Sequence, residues 1–416
     1  MRPRLRPVEV IRVPGQRGGL VTLLRDGERI ATEAVLVSPP LDVVLGWLDG
    51  RTARSVIDAR AATQGIDASA VDALLDRLER VGMLDGPTAR LRAARLVREF
   101  QTAATRAAGH AGGAYPGEAA ELARFVREEC LAPESTSPSN RGRAEREPVG
   151  RLVGIAAPHM DLFRARDGYG RSYRCMDALR TGRERVFFVL GTCHAGMQSA
   201  FAFTKKSFAT PLGTLRADPV ISDRVAARAK VDVYRDEYKH KGEHSLEFQM
   251  VFLAHLLGED GLAQARVVPI LCGLGRAQAR RADPTSDDES ERIVRALEDE
   301  VASLDGEAFI VAGADLAHVG PRFGDSSRLD ATGRSALEAR DLETCNHLEV
   351  LDSRRFFAHA TEDLDERRVC GVGPLYTIAR LARAAGAEQG SMLGYSQCVD
   401  RVEGSVVSYA SMAFHG

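Results

Sequence analysis

Four continuous apolar runs dominate the second half of the chain, and each ends in a polar cluster. They read LVGIAAPH, ending at His159; RVFFVLGTCH, ending at His194; ARVVPILCG, ending at Gly273; and AFIVAGADLAH, ending at His318. Uninterrupted Val/Ile/Leu/Phe runs of this length are the pattern of strands buried on both faces, as in a parallel sheet covered by helices. From residue 151 to the C-terminus such runs alternate with helical segments, which predicts an α/β domain. Ligands of open α/β sheets bind beyond the carboxyl ends of the strands. Three of the four runs carry a histidine to that edge, so the pattern predicts a metal or acid/base site there.

The first half is patterned differently. Residues 1–87 read as a small separate module. GGLVTLLRDGERIATEAVLVSP alternates around Asp26-Gly27 and predicts a β-hairpin. PPLDVVLGWLDG, RSVIDARAATQG and DASAVDALLDRLERVGMLDG follow as short helices. In the last, Asp67 is the expected N-cap, Val71, Leu74, Leu75 and Leu78 share one face, and Gly82 is the expected stop. A hairpin with three short helices is similar to a winged-helix fold. Residues 88–150 read as a helical connector: Ala/Arg-rich helices over 88–129, broken by HAGGAYP at 110–116, then a polar loop over 131–150. Residues 151–416 form the α/β domain, with a second polar insertion at 276–292 and no internal repeat.

Composition narrows the function classes. At 416 residues, 44% hydrophobic and 27% charged, the chain is an ordinary globular protein large enough for two domains. A formal net charge of −2 offers no global attraction to nucleic acid or to an anionic membrane, and neither partner is expected. The acidic and basic mixture on the third helix (Asp72, Asp76 and Glu79 against Arg77 and Arg80) also weighs against DNA binding. No apolar run approaches the roughly 20 residues that span a bilayer. MRPRLRPVEVIRV lacks the apolar core of a secretory signal. Seven cysteines without paired spacing argue for a reducing compartment, so the expectation is a soluble cytoplasmic protein.

The histidines sort by context. His159 follows Ala157-Pro158 and precedes Asp161; His194 follows LGTC; His318 lies three residues beyond Asp315. His244 sits in KGEHSLEFQM, where Glu243, His244 and Glu247 open a helix expected to be amphipathic, with Leu246, Met250 and Leu253 as its core stripe. Imidazole and thiolate donors suit first-row metals such as iron or zinc. A fixed neutral imidazole needs a partner for its second nitrogen, and Asp161, Asp315, Glu243 and Glu247 are available. Any one of these histidines alone reads as a hydrogen-bonded residue at a strand end; four in equivalent placements point to a site. His240, His255, His347, His359 and His415 read as structural or solvated. Cys193 and Cys272 read as small core hydrophobes, and Cys398 as core or pocket wall. Cys370 precedes GVGPLYTIARL at a Gly-rich turn opening a helix, where a thiol is a metal ligand, a nucleophile or simply buried.

Taken in order, HAGGAY (110–115), APH (157–159), LGTCH (190–194), TPLGTLRAD (210–218), EHSLEFQ (243–249), VPILCG (268–273), ADLAHVGPRF (314–323), CGVGP (370–374) and SQCVDRVEGSVVSYASMAF (396–414) resemble the Memo family. They look most like its prokaryotic branch, AmmeMemoRadiSam system protein B, over roughly residues 100–416. The resemblance implies a mainly parallel sheet flanked by helices, similar to class III extradiol dioxygenases (LigB-like). It implies metal ligands at His159, His194 and Cys370, for Fe(II) in the first instance, with Cu or Zn as alternatives. It places a pocket acid/base at His318, with Asp315 or His244 orienting it. Two departures stand out: the family's usual PHAGY is PHMDL here, putting Asp161 in place of a glycine, and its usual paired histidines are His194-Ala195. The LDG spacings of the first module resemble PqqD-type peptide-recognition modules found beside radical enzymes, and the two resemblances together imply a radical S-adenosylmethionine protein and an AMMECR1-like protein as candidate partners. The implied function is redox or dioxygenase-type chemistry on a small molecule or peptide. The alternative is a non-catalytic protein binding a peptide (phosphopeptide-type recognition) or metabolite in the same pocket; a zinc hydrolase is a third.

Overall fold

The structure is a computed structural model that describes all residues except 1, 16–18, 133–149, 177–183, 275–287, 305 and 363–365. Most of the polar loop expected at 131–150 and of the insertion at 276–292 lies outside the described residues. The chain divides into two compact units, Met1–Ala103 and Ala104–Gly416.

In the first unit, β1 (Glu9–Pro14), β2 (Leu20–Arg25) and β3 (Val35–Val37) form an antiparallel sheet. A 3₁₀ turn at Leu41–Trp47 and helices α1 (Arg54–Thr63), α2 (Ala68–Val81) and α3 (Pro87–Thr102) follow. Helix α2 is as expected: Asp67 is its N-cap residue, although its side chain makes no capping bond, and Gly82 ends it at φ 87°. Val71, Leu74, Leu75 and Leu78 are all in the core of this unit. Asp26-Gly27 is not a two-residue hairpin turn, since β2 stops at Arg25 and β3 starts at Val35. The Asp26 carboxylate instead organises a longer loop, accepting from Glu28 N at 3.1 Å, Ala31 N at 2.7 Å and Arg6 at 2.8 Å.

The second unit is α/β, built on one large sheet. Its strands are β4 (Thr105–Arg106), β5 (Leu152–Ala157), β6 (Arg185–Thr192), β7 (Phe201–Phe203), β8 (Ser207–Thr210), β9 (Gly213–Ala217), β10 (Ala265–Cys272), β11 (Ala308–Gly313), β12 (His318–Val319), β13 (Gln389–Val399) and β14 (Val406–His415). The order is β12-β14-β5-β11-β6-β10-β9-β8-β4, with β13 beside β14 and β7 beside β10. The four apolar runs are the adjacent strands β5, β11, β6 and β10, all parallel. The sheet as a whole is mixed rather than mainly parallel, because β14 runs antiparallel to β5, and β7, β8, β12 and β13 also enter antiparallel pairs.

The continuous runs follow from burial on both faces. Alternate residues of β6 enter opposite cores: Val186, Phe188 and Leu190 one, Phe187 and Val189 the other. The first core is closed by α6 (Pro219–Ala229), α8 (Asp288–Ser303), α10 (Ser353–Ala360) and α11 (Val372–Ala384), through Ile221, Ile293, Phe356 and Ile378. α9 (Ala331–Glu349) adds Cys345 and Leu348. The second is closed by α4 (Ala119–Phe125), α5 (Arg166–Arg174) and α7 (Ser245–Gln264), where Tyr169 and Tyr173 stack on Phe252. Fully burying one such side chain contributes on the order of 2 kcal/mol.

Helix α7 departs from expectation. Every residue from Ser245 to Ala254 is buried, so this stretch is enclosed all round and has no solvent face. Its polar members are satisfied internally: Gln249 donates to Pro158 O at 3.0 Å and accepts from Tyr173 Oη at 2.8 Å. The helix start lies directly on the strand ends. A Cβ on Gly191 would come within 2.5 Å of Ser245 Oγ, and one on Gly313 within 2.6 Å of Ser245 O. Glycine at both positions lets the first turn of α7 settle on β6 and β11, which brings Glu243 and His244 over the sheet edge. Among the described residues, no helix is long and apolar enough to cross a membrane.

Candidate metal centre

The strand ends deliver side chains in register. His159 stands two residues past the end of β5, His194 two past β6, and Asp315 two past β11. His318 does not end a long strand; it lies further on, in the short β12 paired with β14. His244 precedes the first turn of α7. Cys370 sits before α11, and Gly371 N donates to Asp315 O at 3.0 Å. A Cβ on Gly371 would lie 2.3 Å from that oxygen, so only glycine lets the cysteine turn approach the β11 end so closely.

One ligand atom from each of His159, His194 and His244 lies within 4.8 Å of the others, a group able to hold a metal ion. The His194 and His244 rings stack at 4.7 Å and 16°, and His159 stands edge-on to both, at 5.0 and 5.6 Å. His159 is 1% exposed, whereas the His194 and His244 side chains are 39% and 30% exposed, so the cluster is open to solvent on one side.

The second nitrogens decide what these rings offer. His159 Nδ1 donates to Gly313 O at 3.0 Å. His194 Nδ1 donates to the Glu243 carboxylate at 3.0 Å, and His244 Nδ1 lies 3.3 Å from the same carboxylate. His318 Nδ1 donates to Leu316 O at 3.2 Å. Carbonyls and carboxylates only accept, so His159, His194 and His318 each carry a proton on Nδ1 and turn Nε2 to the site. That is how histidine ligands of metals are held. Glu243 also accepts from the backbone N–H groups of His194, His244 and Ser245 at 2.9, 2.8 and 3.0 Å. Asp315 accepts from His159 N at 2.9 Å.

Cys370 completes the cluster from the other side, its Sγ 3.2 Å from His159 Nε2. Burial alone would raise this thiol, but the charges of His159 and His318 and hydrogen bonds from His159 and His194 hold it well below its ordinary range. Conversely, burial opposes charge on His159, yet the Cys370 thiolate and Asp315 raise it to about 9. His194 is raised likewise against burial, by Glu243 and then Cys370. His244 goes the other way: burial lowers it to about 3, keeping it neutral. The cluster therefore sets a thiol held towards its thiolate form beside a neutral imidazole and two further rings, and nitrogen and sulfur donors of this kind suit transition metals over calcium or magnesium.

His159, His194, His244, His318, Cys370 and Asp315 thus come together. Asp161 does not join them; its carboxylate pairs with Arg164. Glu247 partners a histidine that the chain's apolar pattern does not flag. It is fully buried and accepts from His110 Nδ1 at 2.8 Å, His110 N at 2.8 Å, Gly109 N at 3.1 Å, Tyr115 Oη and Arg106. The signal for His110 lay only in the HAGGAY motif.

The family model described as Memo-like protein matches residues 106–413, which include every residue of this cluster. The chain belongs to the Memo-like family. A MEMO1 family protein of Aquifex aeolicus is 28% identical over 310 residues, 74% of this chain and 73% of the relative. One from Thermococcus onnurineus is 27% identical over 253 residues, 59% of this chain and 82% of the relative. One from Methanopyrus kandleri is 26% identical over 314 residues, 73% of this chain and 96% of the relative. The Memo-like match falls within the second unit; the residues before Arg106 lie outside it.

Proposed function

We propose that the Memo-like unit binds a first-row metal, Fe(II) in the first instance with Cu or Zn as alternatives, at the histidine–cysteine cluster. The observation that carries this reading is the grouping itself: one ligand atom from each of His159, His194 and His244 lies within 4.8 Å of the others, and His159 and His194 each donate Nδ1–H to a fixed acceptor, which turns Nε2 to the site. Two donor sets share His159 and His194. One adds Cys370, the set implied by the family resemblance; the other adds His244. We favour Cys370 as the third ligand, because its Sγ already lies 3.2 Å from His159 Nε2, a separation that two ligand atoms of one ion adopt. His244 then lines the open side.

The bound metal would supply Lewis-acid or one-electron chemistry to a ligand reaching it from the solvent side. The chain's own residues supply the rest. Glu243 orients His194 and His244, Gly313 O orients His159, and His318, beside Cys370, exchanges a proton with the ligand as general acid/base. A redox or dioxygenase-type reaction fits these parts. The Met1–Ala103 unit, with its own core, is read as a winged-helix-like module that docks a peptide or protein partner, such as a radical S-adenosylmethionine protein.

The test is metal analysis after anaerobic purification of wild type and of His159→Ala, His194→Ala, His244→Ala and Cys370→Ser. The expected result is stoichiometric metal in wild type and its loss in all but His244→Ala. Metal retained in Cys370→Ser but lost in His244→Ala would transfer the third position to His244. Absence of metal from wild type would overturn the reading in favour of a pocket that binds a peptide or metabolite without one.

A further inference from the structure

Two carboxylates four residues apart at the start of α7 perform the same operation on two different histidines. Glu243 takes the backbone N–H of His194 at 2.9 Å on one oxygen and its Nδ1 at 3.0 Å on the other. Glu247 takes the backbone N–H of His110 at 2.8 Å on one oxygen and its Nδ1 at 2.8 Å on the other. The first clamp serves a proposed ligand. The second serves a histidine whose ring lies 5.7 Å from that of His244 and 5.9 Å from that of Phe248.

The second clamp is held at considerable expense. Glu247 is 0% exposed, and a buried carboxylate is tolerated only when paired and fully hydrogen-bonded. Arg106, itself 1% exposed, pairs with it and also donates to His240 O at 2.9 Å and Glu243 O at 2.7 Å. Tyr115, fully buried, donates to it as well. The segment carrying these groups is anchored at both ends. Thr105 and Arg106 pair with Ser207 and Phe208 of β8, and Ala114 O accepts from Leu162 N at 3.1 Å, in the loop that follows His159. It therefore runs from one edge of the sheet past the start of α7 to the β5 loop, along the side of the histidine cluster.

We propose that His110 is a ligand-contact residue of the metal site, a fifth imidazole that touches what the metal binds and not the metal itself. The inference rests on the metal reading above. With Nδ1–H donated to the Glu247 carboxylate, this tautomer of His110 has Nε2 left as an acceptor, and that nitrogen has no hydrogen bond to any described residue. Its side chain is 24% exposed, on the side of His244, one of the two part-exposed imidazoles of the cluster. A residue so oriented accepts a hydrogen bond from an O–H or N–H of the bound ligand. The ligand class follows: molecules that coordinate the metal while still carrying a donor proton, such as hydroxyl- or amide-bearing chelators, and not bare anions.

Cobalt-loaded wild type, His110→Ala and His110→Gln, each shown folded by its thermal midpoint, are titrated with acetohydroxamic acid, which carries a donor proton, and with azide, which carries none. The cobalt visible bands report both. The expected result is full cobalt content in both variants, a fall of about five- to tenfold in acetohydroxamate affinity for His110→Ala, and unchanged azide affinity. Equal loss for both probes, which a purely structural strap gives, overturns the inference. So does unchanged affinity for both, and so does loss of cobalt from a folded variant, which would make His110 part of the metal set. Wild type that binds no cobalt sinks the metal reading instead, a result separate from these.

Discussion

Glu243 holds His194 at two points at once, taking its backbone N–H at 2.9 Å and its Nδ1 at 3.0 Å. A single carboxylate thereby sets where the β6 loop turns and which tautomer its imidazole adopts. The same carboxylate receives His244 N and Ser245 N, so it ties a strand end to a helix start. It is 5% exposed, and the charge and hydrogen bonds of His194 hold it well below its ordinary range despite burial.

Removing that charge separates orientation from coordination. Glu243→Gln keeps the side chain's size but gives up one acceptor oxygen and the charge. The fold is expected to persist while metal affinity falls about 10- to 100-fold, as with other partners of ligating histidines. Competition against a chelator of known affinity, with metal content unchanged at saturating metal, measures it. Affinity equal to wild type would show that His194 needs no such partner.

Gly313 tests the packing that brings α7 to the strand ends. A Cβ there would lie 2.6 Å from Ser245 O and from Gln249 Nε2, and backbone cannot withdraw as a flexible side-chain tip can. Gly313→Ala is expected to lower stability by about 1–3 kcal/mol through overpacking. Because Gly313 O also receives His159 Nδ1, the same change is expected to weaken metal binding. Denaturant midpoints with chelator competition on one variant check both; a change in stability alone would mean that the shift is absorbed away from His159.

How much of this was legible beforehand depended on whether the cause was local. The four parallel strands were, because burial on both faces writes itself as an unbroken apolar run. The placement of His159 and His194 was legible from those strand ends; the Gly-rich turn at Cys370 left ligand, nucleophile and buried thiol open, and only the family resemblance singled it out. The antiparallel margin was not, since β14 pairs with β5 across more than two hundred residues and nothing in either strand specifies direction. The enclosed start of α7 was misread because Glu247 and Gln249 look like solvent-facing residues when their buried partners lie far away in sequence. His110 shows the limit most plainly. It sits in a glycine-rich break, and its meaning comes from a carboxylate 137 residues further on.

A buried ion pair behind the site offers a test of support at a distance. Arg367 Nη1 donates to Asp341 Oδ1 at 3.0 Å, with side chains 5% and 0% exposed. Asp341 also accepts from Tyr395 Oη at 3.0 Å and Ser408 Oγ at 2.5 Å, while Arg367 O accepts from His318 N at 2.7 Å. Asp341→Asn leaves a buried guanidinium without its counter-charge, and a loss of about 3 kcal/mol is expected. Urea unfolding of the metal-free protein measures it. The His318 and Cys370 turns flank Arg367, so a folded variant is also expected to bind metal more weakly.

The acid limb of stability carries the signature of His240. This ring is fully buried, its Nε2–H donates to Ala202 O at 3.0 Å, and burial, reinforced by Arg106, lowers it to about 3. A base whose folded value lies below its unfolded value of about 6.5 takes up its proton first in the unfolded chain. Its contribution is therefore complete above about pH 6.5 and is lost as pH falls from there towards 3. The slope approaches about 1.4 kcal/mol per pH unit, so about 2 kcal/mol is expected to disappear between pH 6.5 and 4.5. His240→Gln, whose amide can still donate towards Ala202 O, is expected to be less stable at pH 7.5 but to lose about 2 kcal/mol less over that interval. Metal-free protein is the right sample, since acid-driven metal release then plays no part in the comparison. Parallel pH profiles for variant and wild type would show that another group carries the acid sensitivity, and His244, lowered to about 3 by burial, is the next to substitute.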